Sequence, residues 1–294
     1  MKILLVRDNS IGVHYVRLAL NYVDPKKAEV TSIKLSWYPD FDDSGFDGLI
    51  YNTFPDENHP GKFRKALIDI TDKKLKAFKG KVLLFDSHDE GYKNAFLRFG
   101  DSREQPRIKN VPCYNSTMNS IIPVTFSIFG QFMDASQPKT IPLLYCAGLE
   151  GYPHDTRKQV FNILKPFKPF TKRLGLMDYI QAMKNTRISV VAPGYGTACI
   201  AHLESLAAGA MLLAHESIRN TKLLPFFDLE ENIHYVLYNL ENLAAKIAVL
   251  LKNPHHVARI ATAGHEAFMQ GYDPDRTAGQ IINYFKQEEV QYDA

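Results

Sequence analysis

The residues most suited to chemistry lie in one short stretch, Pro193-Gly194-Tyr195-Gly196-Thr197, with Glu204 seven positions further on. Gly194 and Gly196 lack a Cβ, so the backbone there can turn sharply and bring its amides close to a ligand. Thr197 suits the N-cap of a following helix. The exposed amides of that helix's first turn and its positive dipole end attract phosphate or another electron-rich group. A glycine loop entering a helix is also a common structural device, so the loop alone assigns nothing. Glu204 sharpens it. On a helical wheel Ile200, Leu203 and Ala207 define a buried stripe and Glu204 lies at its edge. A carboxylate there is costly to desolvate unless it has a partner such as a pair of hydroxyls. The alternative is a rim glutamate paired with a nearby Lys or Arg.

A second group, Asp86-Ser87-His88-Asp89-Glu90, joins three carboxylates and an imidazole at the end of an apolar run. Such groups can take or give a proton, and Asp89 and His88 lead, with Asp86 behind them. The competing reading is a turn cluster in which Asp86 satisfies loop amides. His14 follows Gly12 at the start of a helix, and Asp8 is a loop carboxylate of similar standing. Asp40-Phe41-Asp42 and Asp273-Pro274-Asp275 match an Asp-x-Asp metal pattern that is common by chance, and no metal is expected. Ser10, Ser87 and Cys199 lack a GxSxG context for a hydrolase nucleophile. Cys113, Cys146 and Cys199 have no ligand spacing for zinc and read as reduced thiols.

These groups need a scaffold, and the chain supplies alternating strands and helices. Residues 2–6 read as a strand, followed by a loop and helical apolar spacing at Val13, Val16, Leu20 and Val23. Strands at 29–35, 48–51 and 81–85 follow, with a helix between Pro60 and Lys79. From residue 91 to 139 this rhythm breaks around Pro106, Pro112, Pro123 and Pro138, and the interdomain connection is placed late in that stretch. A second series runs through a strand at 140–147, helices at 154–164 and around Met177–Ile180–Met183, and a strand at 187–192. Then come the glycine loop, a helix to Ala208 that stops at Gly209, and a strand at 210–214. Helices near 240–251, 255–271 and 274–287 finish the chain. The pattern predicts parallel sheets covered on both faces, with ligands beyond the carboxyl ends of the strands. Three parts are expected: 1–135, 136–275, and a last helix at 276–294 that packs back on the first part.

Composition agrees with a folded soluble chain long enough for two domains: 294 residues, 45% apolar and 23% charged. Lys and Arg exceed Asp and Glu by only 35 to 32, too little for a duplex held mainly through its phosphates. The lysine clusters at 73–81 and 165–173 read as solvated faces. No stretch approaches the ~18 apolar residues of a membrane span, and the opening run is too short for a signal peptide. A cytoplasmic location is expected.

The segment from Met177-Asp178-Tyr179-Ile180 through PGYGT to His202-Leu203-Glu204-Ser205-Leu206-Ala207-Ala208-Gly209 resembles the donor-binding core of GT-B glycosyltransferases, the CgeB-like and exostosin-like groups in particular. The resemblance covers roughly residues 141–285. It implies two Rossmann-like domains whose parallel sheets face a central cleft. It also implies that Glu204 holds the ribose of a nucleoside diphosphate sugar, a uridine one foremost. Gly194, Tyr195, Gly196 and Thr197 would attend its phosphates. Arg157 stands where GT-B proteins often supply a cation to the leaving diphosphate, or is an ordinary exposed helix residue; Lys158 is a weaker candidate. Many retaining members carry a glutamate eight residues before the ribose glutamate, where this chain has Gly196, so inversion is preferred. Some carry an arginine where this chain has Ala201, with His202 beside it. An inverting transfer needs a base for the acceptor hydroxyl, here Asp89, His88, Asp86 or His14, and such enzymes stabilise the leaving group without a metal. No cofactor is implied beyond the donor. Acceptors rank as polysaccharide, glycoprotein glycan, small metabolite and modified DNA base. A nucleotide-sugar epimerase of the same fold and a non-catalytic glycan- or nucleotide-sugar-binding protein stand as rivals.

Overall fold

The computed structural model describes residues 1–7, 28–52, 73–74, 77–86, 107–109, 122–123, 134–149, 155–172, 174–194, 198–219, 221–224 and 226–286. Within them the chain forms two all-parallel sheets, one of six strands and one of four. The first comprises β1 (Lys2–Arg7), β2 (Glu29–Lys34), β3 (Gly48–Asn52), β4 (Lys81–Asp86), β5 (Arg107–Lys109) and β6 (Ile122–Pro123). Its order is β2-β1-β3-β4-β5-β6. The direction of winding reverses between β1 and β3, and a crevice opens beyond the carboxyl ends of strands at such a switch point. Period-two alternation is strict. Ile3, Leu5, Ile50 and Leu83 face one core, while Leu4, Val6, Leu49 and Val82 face another.

The second sheet comprises β7 (Ile141–Leu144), β8 (Thr186–Val191), β9 (Met211–His215) and β10 (Val236–Tyr238), paired in chain order. Its helices are α1 (Thr156–Leu164), α2 (Leu176–Lys184), α3 (Ile200–Ala207), α4 (Leu243–Lys252) and α5 (Pro254–Gly271). Leu144, Val191, Leu212, Ala214 and Leu237 meet α2, α3 and the end of α5 on one face. Leu143, Ile188, Val190, Met211, Leu213 and Val236 meet α1, α4 and the start of α5 on the other. Both faces are therefore dry, which explains why these strands read as near-continuous apolar runs.

A last helix, α6 (Pro274–Lys286), presents Ile281, Ile282 and Phe285 to the first sheet. The Phe285 ring lies where a Cβ on Gly48 would sit, 2.5 Å from that point, so β3 needs glycine for this helix to dock. Tyr284 donates to the Val82 carbonyl at 3.0 Å. No helix among the described residues is long and apolar enough to cross a membrane.

The strands expected at 29–35, 81–85, 187–192 and 210–214 appear within a residue of those bounds. Three were not anticipated: β5, β6 and β10, each of two or three residues and too short for a periodic signal. The helix after the glycine loop starts at Ile200 with Cys199 as its N-cap, which corrects the expected cap at Thr197. It ends as expected, at Gly209, whose φ of +65° is a left-handed conformation that favours glycine.

Lys139 ties two helix ends together. Its Nζ donates to the carbonyls of Lys184 at 2.7 Å and Ala208 at 2.6 Å, the C-terminal ends of α2 and α3. A cation there satisfies acceptors the helices cannot and opposes their negative dipole ends. Lys139→Met is expected to lower stability by about 1–3 kcal/mol, read as a lower urea midpoint at unchanged slope.

Candidate functional site

All four strands of the second sheet point the same way, so Tyr145 and Cys146, Pro193 and Gly194, His215 and Tyr238 gather at one rim. The start of α3 joins them. Its cap is reciprocal: the Cys199 side chain accepts from the backbone of His202, and the Cys199 N–H donates to His202 Nδ1 at 3.0 Å. Cysteine and histidine thus take the places usually held by serine and glutamate in a capping box. His202 is fully buried, and with Nδ1 accepting, its proton resides on Nε2, which is buried and has no hydrogen-bond partner among the described residues. Burial first, and then the nearby Arg157 charge, pull its imidazole down to about 4. His202 is therefore neutral near pH 7 and supplies no positive charge in place of the arginine absent at Ala201.

Arg157, in the first turn of α1, is buried, which corrects the alternative of an exposed helix residue. Its Nε donates to the Pro193 carbonyl at 2.8 Å, and its Nη1 lies 3.4 Å from the Gly148 carbonyl. The Tyr145 hydroxyl donates to the Arg157 backbone carbonyl at 2.9 Å. The guanidinium thus braces the two chain segments that leave β7 and β8, at the threshold of the glycine loop. Its rigid fork suits it to hold both at once. Lys158 on the next position is exposed.

Glu204 is 7% exposed and lies deeper than the wheel suggested, because α3 is wedged between the sheet, α2 and α5. Gly264 of α5 lets that helix close in: a Cβ there would come within 3.0 Å of Leu206 and 2.5 Å of the His234 carbonyl. Glu204 has one carboxylate partner among the described residues, the Tyr179 hydroxyl of α2, which donates to Oε2 at 2.7 Å. Burial pushes the Glu204 carboxyl up and the Tyr179 bond pulls it part of the way back, which leaves it at about 7. Tyr179 itself is pushed upward by burial and then by the Glu204 charge, and stays a donor throughout the working range. Oε1 has no protein partner among the described residues. A buried carboxyl raised well above its ordinary range, with spare acceptor capacity and on the helix that follows a glycine loop, makes Glu204 a candidate binding group.

Tyr179 was missed in the sequence reading. It shares a face of α2 with Met183 one turn on, and both side chains reach α3, at Glu204 and Ser205. That spacing was visible; its partner, 25 residues away, was not. The other expected site residues Tyr195, Gly196 and Thr197 lie outside the described residues, as do His14, His88 and Asp89. Asp86 ends β4, and its side chain lies outside them too. Gly194 is buried at the rim. Asp40 ends a 3-10 turn, and Asp42 Oδ1 accepts from the Ser44 N–H at 3.0 Å. Asp273 Oδ1 accepts from the Arg276 N–H at 2.8 Å, capping α6.

Two Rossmann-like domains, their parallel sheets facing a central cleft, with a glycine loop and a buried glutamate on the following helix, define the GT-B class of glycosyltransferases. The glycosyl transferase-like family matches residues 124–283, more than half of the chain, and the chain belongs to that family. A glycosyltransferase from Rickettsia africae ESF-5 shares its fold over 97% of each chain, at 10% identity and a TM-score of 0.69. Sucrose-phosphate synthase from Thermosynechococcus elongatus is similar over 97% of this chain and 98% of its own, at 10% identity and a TM-score of 0.63. An alpha-glucosyltransferase solved with UDP-glucose and DNA containing an abasic site is similar over 97% and 99%, at 13% identity and a TM-score of 0.60. None of the curated proteins matches the chain.

Two outcomes follow from the Glu204 environment. Tyr179→Phe removes the bond that favours the carboxylate, so the Glu204 carboxyl is expected to titrate above about 7, read by carbon NMR of labelled glutamate. Raised from 4.5 in the folded state, this group binds its proton more tightly folded than unfolded. Stability therefore falls as pH rises between about 4.5 and about 7. Glu204→Gln is expected to raise the melting temperature at a pH above that window.

Proposed function

We propose that this glycosyltransferase moves a sugar from a nucleoside diphosphate sugar, a uridine one foremost, to a hydroxyl of an acceptor glycan. The observation that carries the reading is Glu204: a buried carboxyl with one phenolic partner and acceptor capacity left over. The Glu204 carboxylate accepts from the ribose hydroxyls. The loop from Gly194 through Tyr195 and Gly196 to Thr197, together with the α3 amides, attends the diphosphate, whose charge those dipoles stabilise as it departs. Arg157 holds the loop's entrance and adds its charge to that field, while His202 fixes the first turn of α3. Structural relatives support the donor class, since one was solved with UDP-glucose.

Residues 1–135 form the acceptor side in this reading, 136–275 the donor side, and 276–294 the helix returned to the first. The base that takes the acceptor proton comes from Asp89, His88 or Asp86, or from His14, all on segments that leave the carboxyl ends of β4 and β1. With Gly196 where retaining enzymes hold a glutamate, direct displacement with inversion is favoured, with no metal required. The motifs of the C-terminal half resemble those of the CgeB-like and exostosin-like groups, to which we assign the chain within its family.

The test is UDP affinity against pH. Two ribose hydroxyls need an acceptor-only carboxylate, so affinity should rise as Glu204 loses its proton through about 7. Between about pH 6 and about pH 8 the ionised fraction, and with it the affinity, grows about tenfold. Glu204→Gln should bind more weakly and lose that slope, which separates the residue from the titration of the ligand's own phosphate. Calorimetry that finds the same slope in both proteins would remove Glu204 from the site.

A further inference from the structure

The chain has a single tryptophan, Trp37, and it is 60% exposed. One exposed apolar side chain needs no explanation by itself; its setting does. Trp37 sits in a 3-10 turn, Leu35–Asp40, entered directly from the carboxyl end of β2. There Lys34 pairs with Arg7, the last residue of β1, one strand from the switch point between β1 and β3. The turn is held rigidly. Next to Trp37, Tyr38 is fully buried, and its hydroxyl donates to Asp43 Oδ2 at 3.0 Å. Lys74 donates to the Tyr38 carbonyl at 2.8 Å and to the Phe41 carbonyl, and stands 4.8 Å over the Tyr38 ring. Pro39 stiffens the turn further. Trp37 is therefore a broad apolar plate on a fixed mount, with the Lys34 ammonium 5.4 Å from its ring centre.

We propose that Trp37 is the stacking platform of an acceptor subsite that takes a pyranose ring of a saccharide. The inference rests on the reading of this sheet as the acceptor side. A pyranose offers a face of C–H groups to the indole and a rim of hydroxyls to the polar groups around it. Lys34 donates to such hydroxyls, and the exposed carboxylates of Asp40 and Asp42 accept from them. An indole beside a lysine would also stack a nucleobase, but the same two carboxylates repel a phosphodiester backbone, which binds where positive charge is dense. The charge around Trp37 therefore favours an uncharged saccharide over DNA.

Because Trp37 is the sole tryptophan, its fluorescence reports this site alone. The full chain, saturated with UDP, is titrated with maltotriose, cellotriose and chitotriose, and separately with oligothymidylate. A saturable change with at least one saccharide and none with oligothymidylate is expected. Calorimetry with that saccharide should show about tenfold weaker binding in Trp37→Ala, at unchanged UDP affinity, with Trp37→Phe recovering part of the loss. No response to any of the three saccharides, a response to oligothymidylate, or equal saccharide affinity in Trp37→Ala overturns the proposal. Each of those results leaves the donor site standing, whereas absence of UDP binding in the wild-type chain would remove the reading on which both rest.

Discussion

A carboxyl group in a dry place with one phenol for a partner is the constraint around which this molecule is arranged. Burial alone would neutralise Glu204, and full hydrogen bonding would commit it to structure; the Tyr179 hydroxyl does neither. It orients one oxygen and leaves the other with acceptor capacity. The consequence is a carboxyl held well above its ordinary range and costly to the free protein, a cost that the hydroxyls of the proposed donor would offset. That cost is why Glu204 is better explained by function than by stability.

The rest of the C-terminal sheet holds this group in place. Ser205, one position on from Glu204, donates to the Ala201 carbonyl at 2.6 Å and accepts from the Ser189 hydroxyl of β8 at 2.7 Å, so α3 is fastened to the strand that feeds the glycine loop. The Cys199–His202 cap sets where α3 begins, and Gly209 sets where it ends. Arg157 holds the exit of β8 from the other side. A cap, a brace and a serine pair thus fix the helix that carries Glu204 at both ends and along its length, the kind of supporting shell a binding group requires.

Much of this was legible in the sequence, for local reasons. Gly209 after Leu206-Ala207-Ala208 marks a helix stop because few other residues adopt its φ, and the long apolar strands announce burial on both faces. The losses were non-local or too short to register. Strands β5, β6 and β10 carry too few residues to establish a period. The α3 cap was misplaced at Thr197 because cysteine and histidine are unusual in that role, and a wheel cannot show that α5 crowds α3 through Gly264. Arg157 gave no sign of its burial, since its partners Gly148 and Pro193 leave two different strands. Glu204 was legible as a residue out of place on its helix, but its partner Tyr179 was not.

The central claim, that Glu204 receives the ribose hydroxyls, is tested most directly by comparing UDP with 2′,3′-dideoxy-UDP by calorimetry in the wild-type chain and in Glu204→Ala. The account predicts that deleting the hydroxyls weakens wild-type binding by about tenfold or more, the cost of a lost charged hydrogen bond. It further predicts that the two ligands bind Glu204→Ala alike. Equal affinity of the two ligands for the wild-type chain, or the same loss in both proteins, would contradict it.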